Sequence, residues 1–349
     1  MTARVEPFSL RLDPPLETAR ETLRTRDGLL FRVETGPGGS GESAPLRPFT
    51  ESLAESRAAL DRAADAYRES GWRGALAAVS ETTAGQLRFP AARHAVTEAL
   101  LDWRGRRTDL SVARLLGGTA STVPVNATVG DGPPAETARL VEQAQAAGFP
   151  AVKVKVGRGA VKRDLDRLRR ARERVGPDLE LRADANGAWT LAAAREFFDG
   201  ATGLDLAYVE QPLPVEQTWA HADLEGGPPI ALDESLREHP VATLLAADLA
   251  QYYVLKPMAL GGIDRAWGCA HRIKRADTEP VVTSIVESVV GRTGAVHLAG
   301  ALADSLPAGL ATAGLIETDL GPDPAPVEAG QIRVPDGPGL GLAEVGTRG

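Results

Sequence analysis

Lysine is scarce in this chain of 349 residues: of its 39 basic residues only Lys153, Lys155, Lys162, Lys256 and Lys274 are lysine. Cysteine is scarcer still. Cys269 stands alone, which excludes an internal disulfide and a cysteine-rich metal centre. No apolar run approaches the roughly 20 residues that a membrane helix needs. The stretch Met1 to Leu10 carries charge and proline where a secretory leader would be apolar, so the expected location is the cytoplasm. A net charge of −8 argues against nucleic acid as a partner. No Gly-x-Ser-x-Gly elbow, phosphate loop or zinc motif occurs. The histidines His94, His221, His239, His271 and His297 fall on expected helices or loops, none at a strand end. Nothing in the sequence argues for or against an oligomer.

What is present suits a soluble globular protein. Hydrophobic residues make up 43% and charged residues 25%, enough for a full core. The length fits a (β/α) barrel plus a smaller domain. Residues 1–90 read as an α+β capping domain, with a strand at Leu29–Glu34 and helices over Thr50–Glu69 and from Pro90 to Trp103. From Val123 short apolar strands alternate with amphipathic helices. Strands are expected at Val123–Val129, Ala151–Val156, Glu180–Ala185, Ala207–Gln211, Ile230–Asp233, Tyr252–Lys256 and Val281–Ile285, with a weak one near Gly309–Ala313. That pattern predicts an α/β fold, a TIM-type barrel of seven to eight strands spanning 91–316. The Gly- and Pro-rich tail, 317–349, contains one strand-like run, Gln331–Val334, and is expected to return to the capping domain.

Charges fall at the same end of successive barrel strands. Strand two ends Lys153-Val154-Lys155, strand three Asp184-Ala185-Asn186, strand four Glu210-Gln211-Pro212, strand five Asp233-Glu234-Ser235 and strand six Lys256-Pro257. Asp184, Glu210, Asp233 and Lys256 are spaced by 26, 23 and 23 residues, one βα unit each. One such charge is an ordinary loop residue or helix cap. Three carboxylates converging on a barrel mouth repel one another unless a cation sits among them. Oxygen donors without histidine or cysteine favour a hard ion, Mg²⁺ or Mn²⁺. Lys153 and Lys155 lie two residues apart on one strand face, and Lys256 projects from across the ring. Arginine serves everywhere else as the cation, but only lysine can release its proton near neutral pH. A nearby metal and mutual repulsion would depress these lysines toward the range a general base needs. Lys162 and Lys274 read as helix surface. Ser284, Glu287 and Ser288 follow strand seven and are candidates to line the pocket.

Lys-x-Lys, Asp-Ala-Asn, Glu-Gln-Pro, Asp-Glu-Ser and Lys-Pro, in this order and spacing, resemble the enolase superfamily, in its muconate-cycloisomerase-like subgroup with a lysine on each side of the substrate. Thr25-Arg26-Asp27-Gly28-Leu29-Leu30 and Gly41-Glu42-Ser43-Ala44-Pro45-Leu46 resemble its capping domain, and Pro335-Asp336-Gly337-Pro338-Gly339-Leu340-Gly341 its usual end. Within the subgroup, Val123–Val129 and Leu181–Trp189 are most similar to the o-succinylbenzoate synthase family. The resemblance implies a Mg²⁺-dependent hydro-lyase acting on a small carboxylate. Asp184, Glu210 and Asp233 would bind the metal, and Lys155 would take the proton alpha to the substrate carboxylate. Lys256 would stabilise the enediolate or act as the opposite acid or base. Lys153 and Ser284 would hold the substrate. The rival it implies is an N-acylamino-acid racemase or dipeptide epimerase using the same lysines, with specificity in loops near Pro14–Thr22 and Gly38–Thr50. Ile285 and Val286 depart from the small residues expected after strand seven and would either face away or narrow the pocket.

Overall fold

Seven short parallel strands form one curled sheet in the computed structural model of the chain, which describes residues 2–17, 22–83, 85–302, 306–343 and 345–346. Barrel strands one to seven are Asn126–Val129, Ala151–Lys155, Glu180–Asp184, Leu206–Glu210, Ile230–Leu232, Tyr252–Leu255 and Glu279–Val282, hydrogen-bonded in that order. The edges meet through single bridges: Ala308 pairs with Val125 beside strand one, and Gly309 with Thr283 beside strand seven. The weak strand expected at Gly309–Ala313 is therefore a two-residue closure. Pro307 cannot donate to a ladder there and Gly309 has no side chain to pack.

Helices cover the outside because their apolar residues recur at helical spacing. In Val161–Val175, Val161, Leu165, Leu168, Ala171 and Val175 are buried, while Lys162, Arg169, Arg170 and Glu173 face solvent. The poorly marked segment after strand four is a 3₁₀ turn, Val215–Asp223, kinked at Gln217. No helix of the described residues is long and apolar enough to cross a membrane.

The capping domain is an antiparallel sheet of Ala3–Glu17, Thr22–Val33 and Gly39–Ser43 with the helices Leu53–Val79 and Pro90–Thr108. Its central strand is buried on both faces, which explains the unbroken apolar run at Leu29-Leu30-Phe31. Leu29, Phe31 and Val33 pack on the cap helices. Leu30, with Phe8, Leu10 and Leu12, packs on Ile285, Val286 and Val289 of the barrel. Ser52 and Glu55 form a capping box that starts the first helix. Gly41 lets the second helix approach: a Cβ there would lie 2.0 Å from the Ala95 carbonyl. Ala92, Ala95, Val96 and Ala99 of that helix belong to the cap's core, so the core runs past residue 90.

The tail meets the cap at both of its ends: Glu317 N–H donates to the Arg11 carbonyl at 3.0 Å, Leu340 N–H donates to Asp102, and the Val345 carbonyl accepts from Arg32. Between them Gln331–Arg333 pairs antiparallel with Thr122–Pro124 at the entry to the barrel. Of the loop Pro14–Thr22, residues 18–21 lie outside the described residues.

Candidate active site

Strand register places the charges side by side. Lys155 pairs with Asp184, and Asp184 with Glu210, as direct neighbours across strands two, three and four. One layer below, Lys153, Arg182 and Tyr208 are neighbours in the same way. Arg182 is fully buried; its guanidinium lies 4.9 Å from the Tyr208 ring and donates to Glu180, Asn126 and the Pro307 carbonyl. Gln211 fixes the next strand: its Oε1 accepts from the Asp233 and Ser235 amides at 3.0 and 3.2 Å. The glutamine of Glu-Gln-Pro thus sets the height of Asp233.

The ammonium groups interleave with the carboxylates. Lys153 Nζ lies 3.0 Å from both Glu210 oxygens and 3.0 Å from Asp184 Oδ2. Lys155 Nζ donates to Asp184 Oδ2 at 2.6 Å and to Asn186 Oδ1 at 2.9 Å. Lys256 Nζ lies 2.5 Å from Asp233 Oδ2 and 3.8 Å from the centroid of the Phe49 ring, which the cap contributes. As arranged, no three acidic, histidine or cysteine side chains among the described residues share one coordination point.

Burial and pairing set the charge states. Burial alone would raise Asp184, but the Lys153 and Lys155 ammoniums outweigh it and hold its carboxyl well below the usual range. Burial pushes Asp233 up to about 6 against the pull of Lys256. Glu210 is raised by burial and by the neighbouring Asp184 charge. Burial would depress Lys153 and Lys256, yet both are raised because carboxylates stand in direct contact with them.

Above these groups opens a cavity of about 750 Å³ between barrel and cap. Lys155 and Lys256 line it, as do Asn186, Glu234, Ser284 and the cap's Phe49. Strands two and six stand opposite each other in a ring of eight positions, so the two lysines face across it. Asp184, Glu210, Asp233 and Lys153 do not reach its surface. Ser284 does, with its hydroxyl 3.1 Å from that of Thr312. Glu287 and Ser288 instead turn into the joint with the cap: Glu287 accepts from the Ile285 amide, and Ser288 donates to Glu42. Val286 sits at φ +65°, a costly conformation for a β-branched residue, of order 1–3 kcal/mol.

Several contributors escaped the sequence. Phe49 lies in an aperiodic loop. Glu234, with Oε2 lacking any hydrogen-bond partner, was hidden by its neighbour Asp233. Arg167 reads as a surface partner of Asp164 three residues away, but it is fully buried. It donates to the Lys155 carbonyl at 2.7 Å, the Gly130 carbonyl at 2.6 Å, the Thr137 hydroxyl at 3.0 Å and Asp164 at 3.0 Å. Arg167→Leu leaves Asp164 buried without its cation and is expected to cost about 3–5 kcal/mol in denaturant unfolding; a loss below about 1 kcal/mol would remove Arg167 from this account.

A capped (β/α) barrel with facing lysines above buried carboxylates defines the class. The sequence model described as "Enolase C-terminal domain-like" matches residues 136–344, and the chain belongs to this family, within the enolase superfamily. L-Ala-D/L-Glu epimerase of Bacillus subtilis (strain 168) is 28% identical over 358 residues, 96% of this chain and 94% of that protein. The o-succinylbenzoate synthase of Thermobifida fusca (strain YX) is 38% identical over 209 residues, 58% of this chain and 63% of that protein. A dipeptide epimerase from Enterococcus faecalis V583, crystallised with Mg and the dipeptide L-Leu-L-Tyr, has a TM-score of 0.89 at 25% identity, covering 98% of this chain and 99% of that one.

Proposed function

We propose that the chain is an o-succinylbenzoate synthase, a hydro-lyase of menaquinone biosynthesis that dehydrates 2-succinyl-6-hydroxy-2,4-cyclohexadiene-1-carboxylate. The observation that carries this reading is the placement of Lys155 and Lys256 on opposite sides of one cavity, directly above three buried carboxylates. A proton alpha to a carboxylate is very weakly acidic, and its removal puts a second negative charge on the carboxylate oxygens. Lys155 takes that proton. The C–O bond to the ring hydroxyl then breaks on the same face, and Lys155 returns the proton to the departing oxygen, so that water leaves and the ring becomes aromatic. Lys256 stays an ammonium on the other face and offsets the charge that develops. The donor set of Asp184, Glu210 and Asp233 is all oxygen and all buried, which fits a hard divalent cation. Mg²⁺ or Mn²⁺ held there would supply positive charge beside the substrate carboxylate. Lys153 keeps Asp184 and Glu210 in register beneath.

The cavity wall favours dehydration. After strand seven it presents Ser284, Ile285 and Val286, with Thr312 behind and no carboxylate on that side; its carboxylates, Asp131, Glu216, Glu234 and Glu238, stand on other strands and loops. Arg47, Arg158 and Arg237 line its outer part, which suits the second carboxylate of a succinyl arm. The second reading, a dipeptide epimerase or N-acylamino-acid racemase, is favoured by Glu216 and Glu238 on the rim, which offer a site for an amino group, and by the full-length likeness to an epimerase. There Lys155 and Lys256 would exchange protons on opposite faces. The test presents the full chain with Mg²⁺ and each substrate class in D₂O. Release of o-succinylbenzoate is expected. Deuterium at an amino-acid α-carbon without dehydration would move the assignment to the epimerases, and neither outcome would sink both.

A further inference from the structure

We propose that Arg26 of the capping domain is a positioning residue that sets the shape of the substrate cavity by holding the Ile285–Val286 turn in its strained conformation. The inference rests on the reading above that this cavity receives the substrate.

Arg26 is only 3% exposed and lies on the central cap strand, 260 residues away from the turn in sequence. Its Nε donates to the Val286 carbonyl at 3.0 Å. The other arms of the fork reach the carbonyls of Pro45, at 3.2 Å, and Ala44, at 2.6 Å. One guanidinium therefore ties together two segments that both wall the cavity. Leu46, Arg47 and Phe49 follow directly on the first, and Ser284, Ile285 and Val286 form the second. The turn has no regular ladder of its own. Besides the packing of Ile285 and Val286 on the cap, its other hydrogen bonds among the described residues include the Ile285 amide to Glu287, a long bond, 3.4 Å, from the Val286 amide to the Ser284 hydroxyl, and that hydroxyl to Thr312. A β-branched residue at φ +65° persists only where its surroundings impose it. A planar fork that serves three carbonyls can impose it, and a point-charge ammonium cannot. Burial lowers Arg26, and the nearby Glu287 and Glu42 carboxyls offset part of that cost.

The test uses Arg26→Lys, which keeps the charge beside Glu42 and Glu287 and so protects the fold. Amide hydrogen exchange is read in the full chain without substrate. Exchange at residues 284–287 and 44–46 is expected to quicken at least about tenfold, and in Arg26→Lys/Val286→Gly it should fall back toward wild type at 284–287, because glycine adopts positive φ without strain. On whichever carboxylate the wild type turns over, KM should rise about tenfold while kcat stays within about threefold, since neither lysine touches Arg26. Unchanged exchange at 284–287, or an unchanged KM, overturns the proposal. If the wild type turns over neither substrate class, the functional reading fails and the exchange arm still decides the role of Arg26.

Discussion

Lys155→Ala is expected to lower kcat by about 10²–10⁴-fold, the range supplied by a positioned general base, with little change in the unfolding midpoint. The small stability effect follows from the geometry. The Lys155 side chain is 34% exposed, and Asp184 keeps Lys153 at 3.0 Å when Lys155 is gone. Lys155→Arg separates two roles that alanine merges. Arginine retains the positive charge beside Asp184 but cannot give up its proton. If Lys155 is a base, the arginine variant is as inactive as alanine; if it only provides charge, most of the activity survives. Lys256→Ala ranks the two functional readings. A dehydratase that uses Lys256 as a stationary cation should retain more activity than the Lys155 variant. An epimerase that needs a proton donor on the second face should lose as much.

Glu210→Gln is expected to abolish calorimetric binding of Mg²⁺ and to lower turnover by more than about 10²-fold. The substitution keeps the size of the side chain and removes one of three anionic donors from a fully buried set. A neutral amide cannot balance a divalent charge out of water. Lys153 would keep its contact with Asp184, so the strands should stay in register. Wild-type Mg²⁺ affinity in this variant would exclude the carboxylate trio as the cation site.

The barrel and the line of charges at its mouth were legible because each depends on local pattern. Strand alternation, helical spacing and a repeat of about one βα unit put Lys155, Asp184, Glu210, Asp233 and Lys256 on neighbouring strands, and the register confirms it for Lys155, Asp184 and Glu210. The scarcity of lysine sharpened the assignment: among so many arginines, three of five lysines stand at that mouth. What the sequence hid depends on distant partners. Arg167 and Arg26 are two arginines among many, and only the fold reveals one holding the Lys155 carbonyl and the other the Val286 carbonyl. The partner of the tail strand was not legible, because Gln331–Arg333 can complete any free edge, and Thr122–Pro124 offered one. The contacts that raise Lys153 and Lys256 were not legible, because they come from carboxylates on neighbouring strands. The pocket wall at Ile285–Val286 was noticed as a departure from expectation, but its strain came from a cap residue far away in sequence.

One measurement bears most directly on the central claim that this cavity breaks a carbon–hydrogen bond next to a carboxylate. A substrate tritiated at that carbon is incubated with the wild type, with and without EDTA, and with Lys155→Ala, and tritium released to water is counted. Release that needs both the divalent cation and Lys155 is predicted, whichever product follows. Release at an undiminished rate in EDTA, or in the Lys155 variant, would contradict the account.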